Sequence, residues 1–342
     1  MNYDLHLIAS ADGSAGSDDF SDVSAAISAD STASDAGSGA AAAPGGLHVD
    51  MLDDTPTWGD FWNGWPLYRE AVYSGAIAGL TLGFLSVYVV LRRMVFVSAA
   101  VTQAAGLGVA ASFWLSIHLG TVIDPAWGAT TMSLVAALLL AADPKRLGLS
   151  REMALGIVFA FASATAVLIG SRIPQETGDI QAILFGNAVV VSPEDLHRLM
   201  WTFGGVMLLQ LWWFRGFSFA SFDRVTARVH GLPVRLLDAV LLLSIGVMVG
   251  ESARALGAMP AFAMSTLPGV AALLFVRGSL PMTFAVAVLV GAASGVGGYL
   301  LAYREQLSVG PAQTTTAVAF VVVAAIFRLV VSVGIRLVRR RA

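Results

Sequence analysis

The sequence contains no cysteine in 342 residues. Disulfides, thiolate nucleophiles and cysteine-based metal sites are therefore excluded, while the redox compartment is left open. Charge is also scarce: Asp, Glu, Lys and Arg make up 13% of the chain against 56% hydrophobic residues. The wet surface of a single soluble domain of this length needs far more, which argues against an ordinary globular enzyme. The charge divides unevenly. Residues 1–66 have no Lys or Arg and eleven aspartates, from Asp4 to Asp60, for a net -11. Residues 67–342 hold all 20 basic residues against the remaining 12 of the 23 acidic ones, for +8. That basic part is too apolar to present the cationic face of a nucleic-acid reader, so no nucleic-acid partner is expected. Enzyme motifs are missing too. There is no His-Glu-x-x-His pair, no Gly-x-Ser-x-Gly elbow and no Walker-type phosphate loop, hence no obvious nucleophile–base pair and no known ATP-binding loop.

From Ala9 to Gly46 the chain is almost entirely Ala, Ser, Asp and Gly. Such a composition buries too little apolar surface to offset chain entropy, so residues 1–55 read as a disordered acidic tail. Two roles fit it: a metal-gathering lure that includes His6 and His48, or an uncommitted solubilising extension. Residues 1–15 have neither the basic nor the apolar region of a signal peptide, and no cleaved leader is expected. Residues 56–66, with Trp58, Phe61, Trp62 and Trp65 ahead of an apolar run, look like an interfacial aromatic belt.

Apolar runs then recur to the C-terminus, near 68–91, 96–118, 127–142, 153–172, 199–214, 236–256, 259–276, 281–302 and 312–337. A hydrocarbon core of about 30 Å takes roughly 20 residues per helical crossing. The seventh run carries Pro260 and Pro268 and is expected to be broken or partly re-entrant. The fold class is all-α: a polytopic membrane bundle of eight or nine helices over residues 67–342, preceded by a disordered tail. Fourteen basic residues fall in loops on one side (Arg92 and Arg93; Lys145, Arg146 and Arg151; Arg215, Arg224, Arg228 and Arg235; Arg277; Arg336 and 339–341), and five on the other. The richer side is assigned to the cytoplasm, with the C-terminus. Nine crossings place the acidic tail outside and eight place it inside. Glycines four apart, at Gly75, Gly79 and Gly83, at Gly246 and Gly250, and at Gly291 and Gly295, mark close helix contacts, with pore lining as the alternative.

Two loops draw attention. His118 is followed by Asp124, and imidazole plus carboxylate suits a divalent ion, although a loop His and Asp at that separation are usually just solvated. The segment from Arg215 to Asp238 is long for a tight bundle. Phe222, Val225 and Val229 recur there at helical spacing, Asp223 falls in the first turn where the helix dipole favours an anion, and Gly231 followed by Pro233 is a stop signal. A short amphipathic surface helix is expected, suited to lipid headgroups or to a docking partner.

The stretch Ser221-Phe-Asp-Arg-Val-Thr-Ala-Arg-Val-His-Gly-Leu-Pro-Val resembles the coupling segment of the permease subunits of zinc and manganese ABC importers, where Phe-Asp-Pro-Glu precedes Ala and Gly-Leu-Pro-Val. Further resemblances follow in the family's order: Val90-Leu-Arg-Arg-Met94, Leu184-Phe-Gly with Ser192-Pro-Glu-Asp-Leu196, Gly257 with Pro268, and Gly310-Pro-Ala-Gln-Thr314. The resemblance covers roughly residues 67–337. It implies a homodimeric or paired permease in a bacterial-type inner (plasma) membrane, clamped by a cytoplasmic ABC ATPase dimer and fed by an extracytoplasmic solute-binding protein. It implies that ATP-Mg sits on the ATPase, that this chain binds no cofactor and catalyses no reaction, and that a divalent zinc or manganese ion is the cargo. Phe222, Asp223, Arg224, Ala227, Gly231, Leu232 and Pro233 would contact or serve the ATPase.

One departure stands out. Family permeases follow Arg-Arg-Met with an Asp and, one helical turn later, a His associated with metal transit; those positions are Ala99 and Gln103. Alanine offers no lone pair, and an amide oxygen is a weak zinc ligand beside imidazole or carboxylate. Thr102 with Gln103, and Ser265 with Thr266 beside Pro268, would line a polar track, while interhelical hydrogen bonding accounts for both pairs as well. The alternatives kept are a permease for a metal chelate or other small solute, and a degenerate membrane scaffold that transports nothing.

Overall fold

The computed structural model describes residues 58–120, 123–142, 148, 150–173, 191–276 and 278–341. The tail with His6 and His48, the cations Lys145, Arg146 and Arg277, and residues 184–190 of the family-like loop lie outside the described residues. Among the described residues every regular element is a helix. They are α1 (Trp58–Asn63), α2 (Trp65–Leu91), α3 (Val95–Leu119), α4 (Pro125–Ala141), α5 (Arg151–Ser171), α6 (Pro193–Trp212), α7 (Phe214–Phe222), α8 (Arg224–Val229), α9 (Val234–Ala255), α10 (Ala258–Met264), α11 (Leu267–Phe275), α12 (Leu280–Arg304) and α13 (Val309–Arg341).

Seven of these units are long and apolar enough to cross a membrane: α2, α3, α5, α9, the α10–α11 pair, α12 and α13. α4, at 17 residues, is the short third run. α6 fills the fifth but opens on a polar turn with Glu194 and Asp195. Each of the nine apolar runs is thus occupied by a helix or a helix pair. Starts are set by local chemistry. The Asp124 side chain accepts the Ala126 N–H ahead of Pro125, Ser150 accepts from Met153, and Ser192 accepts from Asp195, which satisfies donors that a helix start leaves open.

The seventh run is broken, as its prolines suggested. It enters through Gly257 at φ +103°, a conformation open to glycine but strained for other residues. It breaks at Ser265 and Thr266, and Pro268 stands in the first turn of α11, where a missing N–H costs nothing. The glycines of α2 and α12 face one another. A Cβ built on Gly83 would meet the Ala287 carbonyl oxygen at 2.6 Å, one on Gly79 would run into the Gly291 carbonyl, and one on Gly295 into that of Gly75. Gly246 and Gly250 lie against α4, where a Cβ on Gly246 would fall 2.9 Å from that of Ala137. Elsewhere apolar side chains face outward, as on α5 (Phe161, Leu168) and α13 (Leu329, Val330), a surface suited to lipid tails.

The aromatic segment differs in detail from its expected form. Residues 58–63 are helical and Trp65 already belongs to α2, so the boundary drawn at residue 67 falls inside a helix. Phe61 is buried, stacks on Tyr68 at 5.8 Å and meets the edge of Tyr303 at 5.0 Å, so α1 is folded onto the ends of α2 and α12.

Candidate functional site

α7 follows α6 after Trp213, buries Phe217, Ser218 and Ala220, and ends at Phe222. The single short helix expected across this segment is in fact two. Asp223 stands between them in an extended conformation, as the N-cap of α8 rather than in its first turn. Its carboxylate accepts the N–H groups of Val225 and Thr226 at 3.0 Å and the Thr226 hydroxyl. The Thr226 hydroxyl, followed by the amides of Thr226 and Val225, holds that carboxyl below its ordinary value, so it is ionised at neutral pH and complements the helix dipole. An aspartate gains more by capping two free amides than by continuing a helix, which explains the break. Gly231 closes α8 at φ +76°, with the Leu232 N–H donating to the Ala227 carbonyl at 3.0 Å. Ala227 is buried and Pro233 caps α9. The three apolar residues of the stripe point away from the bundle: Phe222 is 64% exposed, Val225 73% and Val229 81%.

Beneath this segment lies a charged bracket that sequence reasoning missed. The Arg92 side chain, 1% exposed, donates through Nε to Ser221 Oγ at 2.8 Å, through Nη1 to the Asp238 carboxylate, and through Nη2 to the Phe217 carbonyl at 3.3 Å. Arg224 lies 3.7 Å from the same Asp238 oxygen. The residues proposed for a polar path are partly assembled. Ser98 Oγ hydrogen-bonds Ser265 Oγ, Thr102 donates to the Ser98 carbonyl at 2.7 Å and Thr266 to the Phe262 carbonyl at 3.0 Å. Thr102, Ser265, Thr266 and Pro268 are all buried. Ala99 and Gln103 lie on the neighbouring, half-buried face of α3. Ala99 lines a cavity of about 520 Å³ with Phe96, Glu152, Leu155, Gly156 and Phe159. Among the described residues no group of three or more His, Asp or Glu is placed to hold a metal ion.

At the opposite end His118 and Asp124 are each engaged elsewhere. His118 stacks on Trp114 at 4.2 Å and its Nδ1 donates to the Trp114 carbonyl. Asp124 pairs with Arg198 at 3.0 Å and with Arg254 at 2.7 Å, and Arg254 also reaches Asp195 at 3.0 Å. Nearby, Glu251 accepts from Thr130 at 3.0 Å. The signal for this cluster was Glu251 and Arg254 at the end of an apolar run, since ionisable residues there are retained only when paired. Burial opposes ionisation of Asp124, but the Ala126 amide and the two guanidiniums outweigh it and hold the carboxyl below its ordinary value. The two Asp124 pairs are therefore complete at neutral pH and lost only as the pH falls through that lowered pKa. Asp124→Ala is expected to cost about 1–2 kcal/mol through the lost cap, whereas Asp124→Asn, which keeps a capping oxygen, costs under about 1 kcal/mol because the pairs are a third exposed and screened. Thermal unfolding in detergent at pH 7 checks both values, and the difference between wild type and Asp124→Asn should vanish in strong acid.

A model described as the ABC 3 transport family matches residues 65–328. The chain belongs to that family. Among similar proteins, the chelated iron transport system membrane protein YfeD of Yersinia pestis is 29% identical over 263 residues, which is 77% of this chain and 86% of the relative. The manganese transport system membrane protein MntC of Listeria innocua is 26% identical over 259 residues, 76% of this chain and 90% of that one. A chain in the structure of PsaBC from Streptococcus pneumoniae in complex with Fab superposes with a TM-score of 0.66 at 25% identity, over 78% of this chain and 95% of the other. An inward-facing metal-chelate type ABC transporter, at 16% identity and a TM-score of 0.56, shares the fold. This ABC 3 chain is a membrane permease and not an enzyme, as its motifs implied.

Proposed function

We propose that this permease is the transmembrane subunit of an ATP-driven importer, with transition metal as cargo. Two copies form the path in an inner (plasma) membrane, their C-termini cytoplasmic. A separate ATPase dimer carries ATP-Mg and an extracytoplasmic protein delivers the cargo. The observation that carries the reading is the α7–α8 segment. An apolar stripe of Phe222, Val225 and Val229 is exposed at the arginine-rich end, on helices fixed by Asp223, Gly231 and the buried Arg92 bracket. A scaffold has no use for so rigid a presentation of apolar side chains. Ala227, Leu232 and Pro233 seat the segment, and Arg224 flanks it.

Co-expression with the ABC ATPase encoded nearest to this chain should yield a complex in detergent. The pair Phe222→Asp and Val225→Asp should weaken it at least about tenfold, the loss expected when charges replace apolar contacts at the centre of an interface. A wild-type chain that never retains an ATPase would overturn the reading.

The cargo has two forms to distinguish. Manganese as a free ion follows the name of the MntC relative, and zinc follows the resemblance of the coupling segment. A metal chelate is favoured by Ala99 and Gln103, which leave the second membrane helix without a carboxylate or an imidazole at those positions. Uptake into a transport-null host starved of zinc and manganese, read by elemental analysis with and without a chelator, separates them. Absence of any transition-metal accumulation would point to a different small solute.

A further inference from the structure

The contacts around Arg92 join three parts of the chain that sequence keeps far apart. Its guanidinium takes a hydroxyl and a carbonyl from α7 and a carboxylate from α9, while its backbone ends α2. Every nitrogen of the fork has an acceptor, which a guanidinium without water requires, and the planar geometry fixes both partners in direction as well as distance. Asp238 in turn faces Arg224, the first residue of α8.

The turn that follows has no slack. Arg92 N–H donates to the Tyr88 carbonyl at 3.0 Å, Arg93 N–H to Val90 at 3.0 Å and Met94 N–H to Val89 at 2.7 Å. Arg93 is held at φ +56°, a left-handed conformation that a residue with a side chain adopts only when its surroundings enforce it. α3 begins at Val95. One turn further on, Ser98 hydrogen-bonds Ser265 at the break between α10 and α11, and Ala99, Thr102 and Gln103 follow.

We propose that Arg92 is a positioning residue for transport. It is the link by which displacement of α7–α8 is delivered to α3 and to the α10–α11 break. This rests on the importer reading above and adds to it the element that carries the stroke. A long flexible lysine in the same place would hold the charge but not the three directions. The chain of contacts runs from Arg224 to Asp238, from Asp238 to Arg92, through the closed turn to α3, and through Ser98 to Ser265.

The chain has no native cysteine, so a single cysteine placed at Phe96, 76% exposed at the start of α3, takes a fluorescent label at one position only. The labelled permease is assembled with its ATPase in lipid vesicles. The label's response to ATP is recorded alongside ATP hydrolysis and metal uptake. With Arg92 intact, ATP should change the label's signal. In Arg92→Gln the signal should be lost and uptake per ATP hydrolysed should fall at least about tenfold, a coupling of ordinary size for linked sites, while hydrolysis stays within about threefold. Arg92→Lys should fall between the two. Asp238→Asn should reproduce the loss and serves if Arg92→Gln fails to reach the membrane. A label response in both Arg92→Gln and Asp238→Asn equal to that of wild type overturns the relay and leaves the importer reading standing. Failure of the wild-type complex to form overturns both.

Discussion

Gly291→Leu is expected to abolish accumulation of folded protein. A Cβ at Gly291 would run into the Gly79 carbonyl and lie 3.1 Å from the Gly83 Cα. Both neighbours are backbone, so no side chain can swing aside, and α2 and α12 must separate. Separation costs more than the local clash, because the Gly75–Gly295, Gly79–Gly291 and Gly83–Ala287 contacts all belong to the same face. In a membrane, where packing and not water drives helix association, that face is what holds the pair together. Overpacking a tight core costs typically about 1–3 kcal/mol, and spreading the seam over several turns should exceed that range. Gly204→Leu is the control. A Cβ there meets nothing within 4 Å, and the change should be near neutral, within about 0.5 kcal/mol. Monodispersity and thermal unfolding of the two variants in detergent give the comparison. A monodisperse Gly291→Leu protein with wild-type melting would show that the helices pack otherwise.

The second large effect is a gain. Ala99→Asp combined with Gln103→His should raise affinity for zinc or manganese by about a hundredfold or more, roughly 2.7 kcal/mol. The two positions are one helical turn apart on α3, so both new side chains share a face. Both sites are half-buried, and Ala99 borders a cavity with room for a carboxylate. Carboxylate and imidazole are ordinary ligands for these ions, whereas the native methyl group offers nothing and the amide little. Each single change should give much less than the pair. Metal retained after gel filtration, quantified by elemental analysis, reads the result directly. Equal retention by the native chain and the double variant would mean that the ion is held elsewhere.

The nine apolar runs were legible because hydropathy and loop charge are one-dimensional signals, written along the chain in lengths the bilayer sets. The break at Ser265–Thr266 was legible through Pro260 and Pro268, and the glycine contacts through their four-residue spacing. Which glycine faces met was not, since α2 and α12 lie some two hundred residues apart and nothing local pairs them. The α7–α8 segment shows the same limit at short range. Its helical stripe and its stop at Gly231 were plain, but the division at Asp223 depended on whether that carboxylate capped or continued a helix. In the sequence Arg92 reads as a loop cation, because sequence cannot tell an arginine in water from one whose acceptors are supplied by residues 217, 221 and 238. For the same reason Glu251 and Arg254 at the end of an apolar run signal a charged cluster, but not that Asp124, Arg198 and Asp195 complete it.

Backbones that touch on successive turns cannot slide or roll against each other without losing every contact at once. α2 and α12 therefore behave as one lever, stiff across the thickness of the membrane. Arg92 sits at one end of that lever, and Phe61, wedged between Tyr68 and Tyr303, sits at the other. A displacement at the arginine end is therefore carried along both helices together, toward the aromatic collar at their other end.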